Sequence, residues 1–238
     1  MSIADKLITI AENEERVYEK GKLSEKKAFW GNFFKNGVFG GMFSGGGWNV
    51  NTFKPVYPAE KILVTSRYAA ERLFSNFNRP SSFAQPLVDL AEFCEHADFS
   101  QCPYLDFTFS DARAKNLTLD LSSCTGINRA FGSGNGGELE NIKLKVTATC
   151  TAYTNAFFYQ SALTSLVFTE DSVIAANISF AQSALLTDES INSIINALQD
   201  RNGSTTLTLT VHQNVYNRMV ADGRNALVTA KNWTLVSA

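Results

Sequence analysis

Leu119-Asp-Leu-Ser-Ser-Cys124, running on to Arg129-Ala-Phe131, has a second version in Leu144-Lys-Val-Thr-Ala-Thr-Cys150 with Asn155-Ala-Phe157, and a third in Leu166-Val-Phe-Thr169 with Ile178-Ser-Phe180. A fainter copy, Asp98-Phe-Ser-Gln-Cys102 with Phe107-Thr-Phe109, precedes them. Aligning Phe99, Leu121, Val146 and Phe168 gives steps of 22, 25 and 22 residues. One such unit cannot bury its own apolar face. Neighbours must therefore stack, and the product is an extended surface suited to binding.

Leu-x-Leu strands at a period of 20–29 residues predict an α/β solenoid of short, irregular leucine-rich repeats with parallel strands. Alternation sends Leu119 and Leu121, and Ile142, Leu144 and Val146, into the core. Asp120, Lys143, Lys145, Val167 and Thr169 then face the opposite side. Thr187-Asp-Glu-Ser before Ile191, Ile194, Ile195 and Leu198 predicts a capped amphipathic helix. Leu207, Leu209 and Val211 echo Ile142, Leu144 and Val146 as a further strand, with Thr208 and Thr210 on its polar side. A helical stretch with Val215, Met219, Leu227 and Val228 leads to a last strand at Trp233–Val236. These pieces are expected to form a helix-bearing C-terminal cap.

Three segments follow: N-terminal helices at 1–36 for attachment or oligomerisation, a glycine-rich linker at 37–58, and the solenoid with its caps at 59–238. Ile3, Leu7, Ile10 and Val17 form a heptad-like stripe on a helix expected over 2–21. A second helix is expected from Ser24 to about Phe34, with Phe29, Trp30, Phe33 and Phe34 as its aromatic face. Six glycines between Gly37 and Gly47 lead to Trp48, and neither a preceding strand nor a closing Gly-Lys-Ser/Thr makes them a phosphate loop. The candidate assembly residues are Ile3, Leu7, Ile10, Val17, Trp30 and Trp48. Within 59–93, helical pieces near Ala69–Phe74 and Pro86–Glu95 read as an N-terminal cap. Gly132-Ser-Gly-Asn-Gly-Gly137 is an insertion on one edge of the repeats, where ligands often bind.

With 45% hydrophobic residues, the chain can bury a substantial core. A net charge of −2 and scattered basic residues speak against nucleic-acid binding. No basic n-region precedes an apolar run, so no secretory signal is read, and no stretch approaches a membrane span. Cys102, Cys124 and Cys150 recur once per repeat, and with Cys94 are expected to be buried free thiols rather than metal ligands. The two histidines, His96 and His212, lie in no nucleophile or metal motif. A non-enzymatic protein without cofactor or metal is expected.

Leu121-Ser-Ser-Cys-Thr with Ala130-Phe131, and Ala156-Phe157 with Gln160-Ser-Ala-Leu-Thr-Ser-Leu166, resemble BspA-like leucine-rich repeats. The match covers residues 98–186. The opening Ile3-Ala-Asp-Lys-Leu-Ile-Thr-Ile-Ala-Glu and the tail Leu186-Thr-Asp-Glu-Ser-Ile-Asn-Ser-Ile-Ile resemble BspA-like proteins encoded by prophages of gut Firmicutes. That resemblance implies a virion or tail-associated structural protein, made in a host cytoplasm and then built into the particle. Its expected partners are other virion proteins, a bacterial surface protein or a glycan, and a homo-oligomer is expected. The candidate binding face comprises Asp120, Lys143, Lys145, Thr169, Thr208 and Thr210. The alternatives are a bacterial surface adhesin and a purely architectural particle component.

Overall fold

The computed structural model describes residues 18–19, 22–23, 61–65, 67–78, 86–134 and 138–238. Its elements are β1 (Tyr18–Glu19), β2 (Lys22–Leu23), β3 (Ile62–Leu63), α1 (Arg67–Ala70), β4 (Val88–Asp89), α2 (Ala91–His96) and β5 (Ala97–Asp98). Then come β6 (Arg113–Leu121), β7 (Glu138–Val146), β8 (Leu166–Phe168), β9 (Ile178–Phe180) and α3 (Asp188–Ala197). The chain ends with β10 (Leu207–Val211), α4 (Gln213–Ala221), α5 (Arg224–Ala230) and β11 (Trp233–Ser237). This is a mixed α/β fold with parallel strands in two principal sheets, β4-β6-β7-β8 and β11-β10-β9. β3 and β5 make a short parallel pair of their own.

The front sheet puts Leu117 beside Ile142 and Leu166, and Leu119 beside Leu144 and Phe168. All six are buried, while Thr118 and Lys143 between them are exposed. Each strand ends in a turn that buries one small side chain. The Cys102 N–H donates to Phe99, that of Cys124 to Leu121, that of Cys150 to Thr147 and that of Ser172 to Thr169. Ser172 thus takes the cysteine position in the third repeat. Its hydroxyl accepts from the Val146 N–H (3.3 Å) and donates to the Leu144 carbonyl (3.2 Å).

Beyond the turn the layers stay in register. Tyr104, Gly126 and Ala152 are bridged in parallel. Here the glycine is required by space: a Cβ on Gly126 would lie 2.8 Å from Ala152 Cβ and collide with the Tyr104 ring. Next, the Phe109 N–H donates to Ala130 (2.7 Å) and the Phe131 N–H to Ala156 (3.0 Å). These bonds align Phe74, Phe109, Phe131 and Phe157 as a column of near-parallel rings, with centroids 5.2, 5.7 and 5.3 Å apart. Phe180 extends it at 4.9 Å, tilted by 41°. Gln160, wholly buried, ties this column to the front: Oε1 accepts from the Leu139 N–H (3.0 Å) and Nε2 donates to the Phe131 carbonyl (2.5 Å).

In the C-terminal layers, helix replaces strand at the front. Ile174 bridges Leu198, so α3 occupies the place beside β8 that another strand would take. Thr187 caps α3 by accepting from the Ser190 N–H, and Lys231 Nζ donates to the carbonyls of Ile195, Asn196 and Leu198 at its other end. At the back, the irregular wedge becomes a true sheet, with Leu209 between Ile178 and Leu235.

Several expectations are corrected. Tyr18–Glu19 and Lys22–Leu23 pair antiparallel, so the helix expected over 2–21 does not extend through Tyr18; the remainder of the expected N-terminal helices lies outside the described residues. Phe168 registers with Leu144, not Val146, a step of 24 rather than 22. β10 joins β9 and β11, not the front sheet it echoes in sequence. Ser183, whose N–H returns to Phe180, matches Gln160, so the repeated Gln-Ser-Ala-Leu is offset by one residue, and Leu186 rather than Leu185 is buried. Of the helical pieces expected near Ala69–Phe74 and Pro86–Glu95, only Arg67–Ala70 and Ala91–His96 are helix among the described residues, and Val88–Asp89 is strand. Leu227 is exposed.

All four cysteines are free and buried. Burial pushes the Cys94 thiol up to about 11 and the Cys102 thiol up to about 12. The contact with Cys150 lowers Cys124, while the same contact and burial raise Cys150.

Two predictions follow from this packing. Phe131→Ala is expected to cost about 3–5 kcal/mol in chemical denaturation, and Phe131→Leu distinctly less. With Cys94 and Cys102 raised, their stabilising contribution is complete below the unfolded thiol range, near about 8.5. It is lost as pH rises toward 11–12, because only the unfolded chain releases those protons. The melting temperature should fall across that window, and Cys102→Ala should make the fall shallower.

Candidate functional site

The front face is built by strand alternation, which turns one side chain in two to solvent in rows that cross the layers. Thr118, Lys143 and Val167 form one row, and Asp120 and Lys145 begin the next. The Thr169 N–H donates to the Leu144 carbonyl (2.9 Å), which carries that edge onward. The charges are lightly used. Lys145 lies 3.8 Å from Asp171, whose side chain is 82% exposed, so this pair is weak. Asp120 is committed to its own turn, accepting from the Ser122 N–H (2.9 Å) and hydroxyl.

At its C-terminal edge the face bends into an open groove of about 630 Å³ between β8 and α3, lined by Val167, Thr169, Glu170, Glu189, Asn192 and Asn196. The backbone of β8 is covered there. Ser190 Oγ accepts from the Leu166 N–H (2.9 Å) and Ser193 Oγ from the Phe168 N–H (2.7 Å). The groove therefore offers side-chain amides, hydroxyls and two carboxylates rather than a free strand edge.

Thr208 and Thr210 are not part of this face. They lie on β10 in the back sheet and line a second groove of about 660 Å³ with Thr151, Thr154, Asn155, Asn177 and Ser179. Asn177 Oδ1 accepts from the Thr208 N–H (2.8 Å), which fixes its rim. The six candidate residues thus divide into a front set, Asp120, Lys143, Lys145 and Thr169, and a back pair. Ile3, Leu7, Ile10, Val17, Trp30 and Trp48 lie outside the described residues.

The sequence reading missed Thr151, Thr154 and Asn155, and also the row Arg72, Phe107, Arg129 and Asn155. Each member of that row stands two residues before a stacked phenylalanine and has a left-handed backbone, with φ of 54°, 54°, 48° and 53°. The constant offset from the phenylalanine was a usable signal.

His212 is spent as the cap of α4, its Nδ1 accepting from the Asn214 N–H (3.1 Å). Burial and the neighbouring Cys150 thiol raise the Tyr153 hydroxyl, holding its proton on. Among the described residues, no three or more His, Cys, Asp or Glu side chains are grouped to hold a metal ion. None of the described helices is long and apolar enough to cross a membrane. These surfaces can accept and donate hydrogen bonds over a broad area.

Lys143→Ala and Lys145→Ala should each change stability by no more than about 0.5 kcal/mol in urea denaturation. Asp120→Ala should cost about 0.5–1.5 kcal/mol through loss of its turn. Compared with family models, characterised proteins and solved structures, the chain matches none.

Proposed function

We propose that this chain is a non-enzymatic, BspA-like leucine-rich-repeat solenoid that serves as a virion or tail-associated structural protein and presents its repeat surface to a protein or glycan. The observation that carries the reading is the register of outward rows: Thr118, Lys143 and Val167 stand on consecutive strands that pair in parallel. Strands stack at about 4.8 Å, so such a row presents its side chains, here a hydroxyl, an ammonium and an apolar group, at a spacing the backbone dictates. A polymer or a flat protein surface can be read by that spacing, and oligomerisation multiplies weak contacts into avidity. The open grooves, lined by Thr, Asn and Ser and, in the first, by Glu170 and Glu189, fit the same use. Sequence resemblance at both chain ends supplies the virion context, and the 1–36 segment is assigned to attachment.

The chain is expected in density-gradient-purified particles from producing cells, detected by mass spectrometry at a stoichiometry matching a symmetric component. Light scattering should find the full chain oligomeric and a version beginning at Pro55 monomeric. Recovery from cell walls and not from particles would favour the surface-adhesin reading instead.

A further inference from the structure

Seven arginines fall within the described residues, and five of them spend their guanidinium on protein acceptors. Arg67 pairs with Asp106, Arg113 with Glu138, Arg218 and Arg224 with Asp188, and Arg201 donates to Gln199 and the Thr205 carbonyl. Arg72 and Arg129 differ. Neither has a carboxylate or carbonyl partner for its guanidinium among the described residues. Each instead lies over the ring of Phe107, with Cζ at 5.2 and 5.6 Å from the centroid.

Backbone geometry puts these three side chains in one row. The Arg72 N–H donates to the Asp106 carbonyl (3.1 Å) beside Phe107, and the Phe107 N–H to the Asn128 carbonyl (3.3 Å) beside Arg129. Phe107 therefore stands in the layer between the two arginines. All three have φ near +50°, a conformation unfavourable for a large L side chain by about 1–2 kcal/mol per residue. Asparagine, which takes that conformation more readily, already serves at the equivalent Asn155. Bulky, cationic and aromatic groups at three successive strained positions point to a use beyond the turn itself.

The row borders a cleft of about 260 Å³ whose walls include Ser75, Asn76, Ser133 and the half-exposed Phe158. Asp111 lies in its floor, buried and already accepting from the Ser133 hydroxyl (3.0 Å) and the Gly134 N–H (2.8 Å). That volume is below the roughly 300–1,000 Å³ of sites for drug-sized ligands and suits a single ring. Aromatic faces stack on the apolar side of a sugar, hydroxyls and amides meet its OH groups, and a guanidinium grips a planar carboxylate in bidentate fashion. Two guanidiniums held apart by an aromatic ring match acidic groups on successive units of a chain better than one isolated anion.

We propose that the Arg72–Phe107–Arg129 row is a binding site for an acidic polysaccharide, taking a hexuronate-type sugar by its carboxylate. The site deepens the reading of the chain as a binding surface and rests on it, but it lies apart from the strand face. Isothermal titration of the full chain with an oligogalacturonate tests it. Saturable binding is expected, weakened about tenfold or more by Arg72→Gln or by Arg129→Gln, and lost when the ligand is fully methyl-esterified. Both arginines are exposed, so the variants should melt with the wild type. Absence of saturable binding by the wild type overturns the proposal, as does undiminished binding by the double variant. Binding that is lost in Thr208→Ala/Thr210→Ala and kept in the arginine variants would also overturn it, by moving the site to the back groove. Presence or absence of the chain in particles is read separately, so either idea can fail alone.

Discussion

The column of buried phenylalanines, locked by hydrogen bonds from one layer's backbone to the next, is the constraint on which the rest of the molecule depends. Phe109, Phe131 and Phe157 are each fully buried, and each is covered only because a neighbour lies above or below. A layer removed from the stack would expose both faces of its ring, its small turn residue and its strand together. Small misfits between layers are therefore costly, and this explains why Gly126 has no room for a methyl group and why Gln160 is buried to satisfy two backbone groups.

Stacking creates a second problem at its ends, since an unpaired strand edge invites aggregation. The two ends of the front sheet solve it in similar ways. β4 pairs with β6 over only two residues, and α2 covers more of that edge, with the Cys94 sulfur accepting from the Thr118 N–H (3.3 Å). At the other end α3 lies along β8, and Ser190 and Ser193 replace a missing strand as acceptors. Helices that close a sheet by side-chain hydrogen bonds also explain the change of architecture along the chain. Once α3 takes the front position, only the back is left for strands, and β10 and β11 pair there.

How much was legible in the sequence follows from this division. In-and-out alternation in β6 and β7 and the Thr187-capped helix are local patterns, readable from residues a few places apart, and the recurrence of cysteine marks the layers without fixing how they pair. Register is not local. An extra residue between Val146 and the Cys150 turn, or between Gln160 and Ser183, shifts every later equivalence, and Leu-x-Leu wording alone cannot reveal it. For the same reason Thr208 and Thr210 read as part of the front face: their strand has the right alternation, while the sheet it joins is decided by what α3 occupies. The serine acceptors were invisible as well, because a serine on a helix looks merely polar until a strand edge is placed beside it.

Side chains of the functional surfaces inherit the same logic. In a layered fold an outward position is not a single point, since the position one layer on faces the same way at a fixed offset. Chemistry is then written in rows, and what distinguishes one row from another is the backbone conformation that carries it. Along the strands, outside the left-handed Asn116 and Asn141, extended backbone accepts almost any residue, and the rows there mix Thr, Lys, Asp and Val without order. Two residues before each stacked phenylalanine the backbone is left-handed, and Asn or Gly is the residue of least strain. Asn155 meets that demand, whereas Arg72, Phe107 and Arg129 do not. The strain they carry is offset by the layers that hold them, and two guanidiniums share one ring with no carboxylate or carbonyl partner among the described residues. A row assembled against local preference, in a fold where asparagine would have been enough for the turn, is the part of the surface least explained by stacking alone.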